Sequence, residues 1–143
     1  MATSGSRQPV LLVDTSVAVP LAVGDHEHHQ AVFEALSGHR RGLAGHAAFE
    51  TFSVLTRLPP PARRTASTVA RLLAATFPHS RFLSAEAAVR VFAELEGNGI
   101  AGGAVYDALV GATAVEHGLS LATRDRRALN TYRALDVKVE LLC

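Results

Sequence analysis

A short apolar run that ends in an acid and two hydroxyls is the feature that most constrains how this chain can fold. Val10-Leu11-Leu12-Val13 is followed at once by Asp14, Thr15 and Ser16. Consecutive apolar residues bounded by polar ones are typical of a strand buried on both faces of a parallel sheet. The carboxyl end of such a strand opens into the ligand crevice. We therefore expect Asp14 at a crevice, where its charge needs a helix N-terminus, a cation or a metal ion as a partner.

The rest of the chain alternates predicted helices with predicted strands, which is typical of an α/β fold with a parallel sheet. Helices are predicted over residues 17–23, 25–36, 46–58, 65–76, 84–97, 102–117 and 125–132. Further strands are predicted over residues 81–83, 119–122 and 137–142, and a short one is expected within 42–45. Thr15 and Ser16 are predicted to cap the first of these helices.

Length and composition place the chain among globular proteins. Its 143 residues, 48% of them hydrophobic, suffice for one domain with a core. Cys143 is the only cysteine, which excludes an internal disulfide framework and fits a reducing compartment. No apolar run approaches the ~20 residues that a membrane span needs. We expect a loose tail over residues 1–8, a single domain over 9–143 and a cytoplasmic location.

Three further acids are predicted to meet Asp14 at one edge of the sheet. Asp125 directly follows a predicted strand, while Asp107 and Glu50 stand near the starts of two predicted helices, at the same edge. Carboxylates that converge in one crevice repel one another unless a cation is bound, and oxygen-only ligation suits Mg²⁺ or Mn²⁺. The pattern therefore predicts a divalent metal site that can position water against a phosphodiester.

Each acid also has a simpler interpretation when it is taken alone. Asp14 and Asp125 could cap the helices that follow them, and Glu50 could be an exposed helix acid paired with Arg57. Asp107 is least open to such an interpretation, because its helix face otherwise carries small and apolar residues. If the acids do repel one another, removing one from the metal-free protein should raise its stability or leave it nearly unchanged.

Four segments of the chain resemble, in order, the motifs of a known family. These are Leu11 to Ser16, His46 to Pro59, Tyr106 to Val110, and Thr123 to Arg126. Together they are similar to PIN-domain ribonucleases of the VapC toxin branch. The resemblance covers residues 10–142 and implies a PIN-like three-layer sandwich, in which helices flank a central parallel sheet.

The resemblance also implies an activity, a cofactor and partners. Family members hydrolyse RNA with Mg²⁺ or Mn²⁺, form homodimers and are neutralised by a cognate VapB-type antitoxin. By that resemblance, Asp14, Glu50, Asp107 and Asp125 are the metal-binding and catalytic acids, and Thr123 is an auxiliary polar residue of the site. We therefore expect a metal-dependent endoribonuclease toxin. Hydrolysis by water should leave 5′-phosphate and 3′-hydroxyl ends.

Two other classes of protein fit the sequence less well. Haloacid-dehalogenase-like phosphatases have a second Asp two residues after the first, where this chain has Ser16, and they and receiver domains have a Lys after a later strand. Lys138, the only lysine, lies within the last predicted strand. The other alternative is a catalytically silent PIN-like domain that binds RNA or a partner without cleavage. All four acids are present, which argues against that alternative.

A histidine-rich segment suggests a second metal site. Asp25-His26-Glu27-His28-His29 brings three histidines together, and His26 and His29 share a face if the segment is helical. No cysteine or second spaced pair accompanies them, so a solvated helix start is the simpler interpretation.

The chain also carries apolar residues beyond the apparent need of one small core. Val69, Leu72, Leu73 and Phe77 flank a break at residues 59–61. Exposed apolar patches usually mark interfaces. We therefore expect a homodimer and a tight protein partner.

Overall fold

The fold is built on a parallel sheet of four strands, seen in a computed structural model that describes residues 8–143. The strands are β1 (Val10–Val13), β2 (Arg40–Leu43), β3 (Leu121–Thr123) and β4 (Val139–Leu141). Their order across the sheet is β2-β1-β3-β4, and every pairing is parallel. The predicted α/β class and its parallel sheet are confirmed.

Seven α-helices and one 3₁₀ turn connect the strands within the described chain. The helices are α1 (Thr15–Ala22), α2 (His29–Leu36), α3 (His46–Thr56), α4 (Ala66–Thr76), α5 (Ala85–Glu94), α6 (Ala104–Glu116) and α7 (Leu129–Ala134). The 3₁₀ turn spans Arg126–Ala128, just before α7. None of the helices within residues 8–143 is both long and apolar enough to cross a membrane.

Strand β1 lies at the centre of two cores, one on each face of the sheet. Leu11 and Val13 join one core, which is completed by residues of α1 to α4. Val10 and Leu12 join the other, with residues of α6 and α7. Successive side chains of a strand point to opposite faces, so an uninterrupted apolar run is what a central strand of a three-layer sandwich requires. The three-layer arrangement predicted from the family resemblance is confirmed.

Several predicted boundaries were wrong. Helix α2 begins at His29, and residues 24–28 form turns, so the acids before it do not lie in a helical turn. The strand expected at 42–45 is shifted to 40–43, and that predicted over 81–83 is a single bridge between Ala44 and Arg81. It cannot extend, because the chain turns at once into the Ser84 cap of α5.

The link between α5 and α6 contains the spacing G-x-G-x-x-G, from Gly97 to Gly102. In dinucleotide-binding folds this spacing follows a strand and opens a helix, so that backbone amides meet a pyrophosphate. Here it follows a helix, and it therefore does not form such a turn.

The apolar residues that were expected to form an exposed interface are buried or partly buried in a core. Val69, Leu73 and Phe77 are buried in the core beneath α4, and Leu72 is partly buried against it. The expectation that these residues are exposed was wrong, because α4 closes one of the two cores instead of standing free. The large apolar side chains that are exposed include those of Phe33, Phe49, Phe82, Val89, Phe92 and Tyr106. The predicted loose tail over residues 1–8 lies outside the described residues apart from Gln8, and its looseness stays a prediction.

Candidate active site

Asp14 stands where β1 ends and α1 begins, and only 5% of its surface is exposed. Its carboxylate accepts the backbone N–H of Ser16 at 3.1 Å, so Asp14 itself is the N-cap of α1. The prediction that Thr15 and Ser16 cap this helix was wrong, because the acid one position earlier already reaches the free amide. For Asp14 the sequence left helix capping and a place in a functional site open, and the structure shows the capping.

Three hydroxyl groups also donate hydrogen bonds to the Asp14 carboxylate. Ser16 Oγ donates to Oδ1 at 2.6 Å, and Thr123 Oγ1 and the Tyr132 hydroxyl donate to Oδ2 at 2.5 and 2.9 Å. Burial raises the pKa of Asp14, and the hydrogen bonds from Ser16, Thr123 and Tyr132 oppose that rise. The carboxylate is therefore fixed in position, with both oxygens held from inside the protein.

The same hydroxyls join the end of β1 to the end of β3. Ser16 Oγ accepts the backbone N–H of Arg124 at 2.8 Å, and Thr123 Oγ1 accepts that of Asp125 at 3.0 Å. Each of these two hydroxyls thus accepts a hydrogen bond from the backbone after β3 and donates one to Asp14. This relay sets where Asp125 leaves the sheet, so the predicted site residue Thr123 is a positioning residue in this structure.

Asp125 follows β3 directly and caps the 3₁₀ turn, as the simpler sequence interpretation proposed. Its Oδ1 accepts the backbone N–H of Arg127 at 3.0 Å and lies 3.5 Å from Arg127 Nε. The Arg127 side chain is 94% exposed, so this ion pair lies in water and holds the acid weakly.

Asp107 lies in the first turn of α6, on the closely packed face that the sequence predicted. One turn along the helix, a Cβ on the buried Gly111 would lie 3.0 Å from Val137 and 3.1 Å from Tyr132, so the absence of a side chain lets α6 pack closely here. Burial raises the pKa of Asp107 to about 6, with further contributions from the charges of Asp125, Asp14 and Glu50, in that order. Arg127 acts in the opposite direction.

Glu50 completes the group from α3. Its Oε1 accepts a hydrogen bond from Thr15 Oγ1 at 3.2 Å, which ties α3 to the start of α1. The pairing of Glu50 with Arg57 is not formed, because Arg57 Nε donates instead to Ser53 Oγ at 3.2 Å. The structure therefore places all four predicted acids where Asp107 senses the charges of the other three.

The donor set fits a hard divalent cation in its chemistry. All four predicted ligands are carboxylates, which Mg²⁺ and Mn²⁺ prefer, and their mutual repulsion favours a cation between them. Within residues 8–143, no three Asp, Glu, His or Cys side chains already lie close enough to hold a metal ion. The acids thus lie within range of one another's charge, and binding an ion requires their side chains to move inward.

The described part of the histidine-rich segment has no such group of three side chains, so the structure gives no support to a second metal site there. His28 Nε2 lies 3.0 Å from Glu27, and His29 Nδ1 lies 2.9 Å from the carbonyl oxygen of Pro20. These local contacts use the ring nitrogens that a zinc ion would need. The simpler interpretation of a solvated segment before a helix is retained.

Comparison with known proteins decides the family. A family model described as the PIN domain matches residues 11–134. Ribonuclease VapC27 of Mycobacterium tuberculosis (strain ATCC 25618 / H37Rv) is 48% identical over 135 residues, which are 92% of this chain and 96% of that protein. The chain belongs to the PIN-domain family, in its VapC ribonuclease branch.

Solved structures have the same fold as this PIN domain. A crystal structure of VapBC2 from Rickettsia felis, bound to a DNA fragment from its promoter, aligns with a TM-score of 0.68 at 14% identity. The match covers 94% of this chain and 99% of that one. Mycobacterium tuberculosis VapC20, described as a sarcin-ricin loop cleaving toxin, aligns with a TM-score of 0.64 at 19% identity over 83% of this chain and 92% of its own.

The sequence did not reveal every polar group in this PIN domain's site. Ser16, Thr15 and Tyr132 were not predicted to support it, although each donates a hydrogen bond to one of the acids. A signal for Tyr132 existed, because a tyrosine on an apolar helix face needs a partner for its hydroxyl once it is buried. Which partner it finds, 118 positions away, is set by the fold alone.

Proposed function

We propose that this chain is an endoribonuclease toxin that hydrolyses RNA phosphodiester bonds with Mg²⁺ or Mn²⁺. The observation that carries the proposal is the grouping of four carboxylates: burial raises the pKa of Asp107 to about 6, and the charges of Asp125, Asp14 and Glu50 contribute to that rise. A cation bound between the acids would offset this repulsion. The VapC ribonuclease relative supports the choice of RNA as the substrate.

In this proposal Asp14, Asp107 and Asp125 would hold the cation directly, and Glu50 would hold it directly or through water. A bound Mg²⁺ or Mn²⁺ supplies activation of a water molecule and offsets negative charge on the phosphoryl oxygens. Asp14 accepts four hydrogen bonds, two on each oxygen, so one of these donors would have to turn away before Asp14 could hold the cation. Asp107, Asp125 and Glu50 are less restrained and would adjust around the cation.

The supporting residues act through the acids. Ser16, Thr123 and Tyr132 orient Asp14, and Thr15 restrains Glu50 from the first turn of α1. Positioning groups of this kind commonly change metal affinity or activity 10–100-fold when they are lost. Thr123 therefore belongs to the proposed site as the residue that holds Asp14 and places Asp125.

A cleavage assay on mixed RNA tests the proposal. Activity should be lost in EDTA, return with Mg²⁺ or Mn²⁺, and be absent in Asp107→Asn. Asp25→Asn removes an exposed acid from a turn outside the site and should cleave like the wild type. Products should carry 5′-phosphates and 3′-hydroxyls, because in this mechanism water attacks phosphorus, the P–O3′ bond breaks and the 3′-oxygen leaves with a proton. Cleavage that persists in EDTA, or products with 2′,3′-cyclic phosphates, would contradict the mechanism.

The silent-domain alternative makes the opposite prediction in the same assay. It requires RNA binding without cleavage at any concentration of Mg²⁺ or Mn²⁺. The grouping of all four acids favours the enzyme, because a binding surface for RNA gains nothing from carboxylates that repel phosphate.

We also propose a homodimer that is neutralised by a VapB-type antitoxin and works in the cytoplasm. The R. felis neighbour, described as VapBC2, supports the choice of partner. Val89 and Phe92 on α5 are 68% and 77% exposed, and exposed apolar surface of this kind usually marks an interface. Sedimentation should show a dimer at micromolar concentration, and Phe92→Glu should shift it to the monomer. A wild-type monomer would contradict the dimer.

A further inference from the structure

An aromatic stack lies at the surface where α3 and α6 begin. His46 is the first residue of α3, and Tyr106 lies in the first turn of α6. Their ring centroids are 4.8 Å apart and their planes meet at 17°. Half of Tyr106 is exposed, so this stack is not core packing.

The start of α3 packs closely against α6. Gly45, directly before α3, has a φ of 54°, and a Cβ there would overlap the hydroxyl of Thr113, which lies about two turns beyond Tyr106 on α6. Only glycine combines that backbone conformation with so close an approach. This contact holds the first residue of α3 against the helix that carries Tyr106.

The stack borders the acids on both helices. Tyr106 immediately precedes Asp107, and His46 lies one turn before Glu50 on the same face of α3. Glu50 in turn accepts a hydrogen bond from Thr15 at 3.2 Å, so this face of α3 lies beside the start of α1, which Asp14 caps. A nucleotide whose phosphate reaches the acids would have its base within reach of the rings.

An apolar cleft extends this surface beyond His46. It has a volume of about 340 Å³ and is lined by Gly45, His46, Phe49, Phe82, Leu83, Leu109 and Thr113. Phe49 and Phe82 meet edge to face there, with ring centroids 6.0 Å apart, and they are 65% and 51% exposed. Cavities of about 300–1,000 Å³ are the size that holds small ligands.

We propose that His46 and Tyr106 form a stacking platform for one unpaired nucleobase of the RNA substrate, beside the scissile phosphate. The proposal rests on the ribonuclease function proposed above. Single-stranded RNA is held through bases stacked on exposed aromatic side chains, histidine among them. An uncharged base is the part of a nucleotide that two stacked aromatic rings accept, while its phosphate would lie at the acids and their cation. Stacking tolerates every base, which predicts a weak base preference at this position.

A matched pair of variants separates this platform from aromatic exposure in general. Tyr106→Leu removes the ring but keeps apolar bulk, and Tyr106→Phe keeps the ring. Phe33→Leu is the control, because His29 and Phe33 form a second exposed stack on α2, with centroids 5.9 Å apart. His46→Ala tests the other member of the platform if Tyr106→Leu proves to melt at a lower temperature.

The first measurement is steady-state cleavage of single-stranded RNA with Mg²⁺. Loss of one base stack should raise KM roughly 5- to 150-fold in Tyr106→Leu, with little change in kcat. Tyr106→Phe and Phe33→Leu should keep the wild-type KM. If the ring had only a structural role, Tyr106→Leu would instead lower the melting temperature of the protein.

The second measurement follows stacking itself. RNA carrying 2-aminopurine is mixed rapidly with protein and Mg²⁺, and its fluorescence should be quenched before cleavage when the probe occupies the platform. The quench should be absent in Tyr106→Leu and present in Tyr106→Phe and Phe33→Leu. Sedimentation of each variant tests whether the ring lies between two subunits instead.

The outcomes separate this inference from the proposed function. If the wild type does not cleave RNA with any divalent cation, the proposed function fails and the platform with it. If the wild type cleaves, but Tyr106→Leu and His46→Ala keep its KM and its quench, only the platform is overturned. A Tyr106→Leu protein that becomes monomeric, while Tyr106→Phe stays dimeric, would assign the ring to a subunit contact and also overturn the platform.

Discussion

Asp14 and Asp107 lie within range of each other's charge, but the protein holds the two carboxylates in opposite ways. Asp14 is 5% exposed, and its two oxygens accept hydrogen bonds from Ser16, Thr123 and Tyr132. Asp107 is half-buried, and burial and neighbouring charges, not hydrogen bonds, determine its pKa. The Asp14 carboxylate at the end of β1 therefore has its hydrogen-bond partners without a cation. The charge of Asp107 at the start of α6 is not compensated in this way.

The difference separates two reasons for an acid to be present. Asp14 has a structural role, because it caps α1 and accepts hydrogen bonds from hydroxyl groups on β3 and α7. Asp107 contributes little to the fold, and its surroundings oppose its charge. Substitution at either position should abolish cleavage, so activity does not distinguish them. The stability of the folded protein should differ between the two variants. The expectation that any acid can be removed without loss of stability is therefore restricted here to Asp107.

The largest effect is expected on cleavage, where the two positions should be indistinguishable. Asp14→Asn and Asp107→Asn should each lower kcat/KM by about 1,000-fold or more, which is about 4 kcal/mol of transition-state stabilisation. Initial rates on a fluorescent RNA with Mg²⁺ measure this, with Asp25→Asn as the control. An Asp107→Asn enzyme within tenfold of the wild type would remove Asp107 from the site.

The next effect should separate the two positions on stability. Asp14→Ala leaves buried hydroxyls and a helix amide without an acceptor, which destabilises the folded protein. Burial raises the pKa of Asp14 because it disfavours the charged carboxylate, so removing that charge offsets part of the loss. The net destabilisation should be about 2–4 kcal/mol. Urea unfolding in EDTA at pH 7 measures it. Equal stability of Asp14→Ala and Asp107→Asn would break the comparison.

A smaller effect isolates one hydrogen bond to Asp14. Tyr132→Phe removes the donor that lies 2.9 Å from Oδ2 without changing the ring that packs against Gly111. Hydrogen bonds to charged groups contribute more than neutral ones, so the loss should be about 1.5–2 kcal/mol. Tyr106→Phe is the matched control, since half of that side chain is exposed. If both variants unfold at the same urea concentration as the wild type, the buried bond contributes nothing.

The smallest effect is a pH-dependent gain in Asp107→Asn. The folded protein keeps a proton on Asp107 up to about pH 6, because its pKa is raised to about 6, whereas the unfolded chain releases it near pH 4. The wild type should therefore lose stability relative to Asp107→Asn as the pH rises through this window, and the difference should stay constant above it. Solvent screening of this partly exposed group limits the gain to roughly 1 kcal/mol. Metal-free melts from pH 4 to 8 measure it, and a difference that shrinks with rising pH would contradict the assignment.

The sequence predicted most of what local pattern determines. The apolar run before Asp14 defined a central strand, and the strand before Asp125 placed that acid at the same edge. The small residues around Asp107 correctly indicated a packed face. These predictions needed only the periodicity of one element and the parallel direction of two strands.

The rest depends on which distant segments meet. Tyr132 finds Asp14 across 118 positions, and no local pattern encodes that pairing. The burial of Val69 and Phe77 depends on where α4 docks, which an amphipathic pattern leaves open. The start of α2 was predicted too early, because the acidic residues that are typical of a first helical turn also occur in tight turns.

The hydroxyl relay from Thr123 and Ser16 to Asp14 has a consequence for the synthesis of such a protein. The carboxylate that ends β1 is among the first parts of the chain to be made, but Thr123, Asp125 and Tyr132 follow more than a hundred residues later. A nascent chain can therefore hold Asp14 in place only after Tyr132 has left the ribosome. The hydrogen bonds from β3 and α7 to Asp14 form only once translation has passed these residues, and we expect a nascent chain to leave the RNA around it uncut until then.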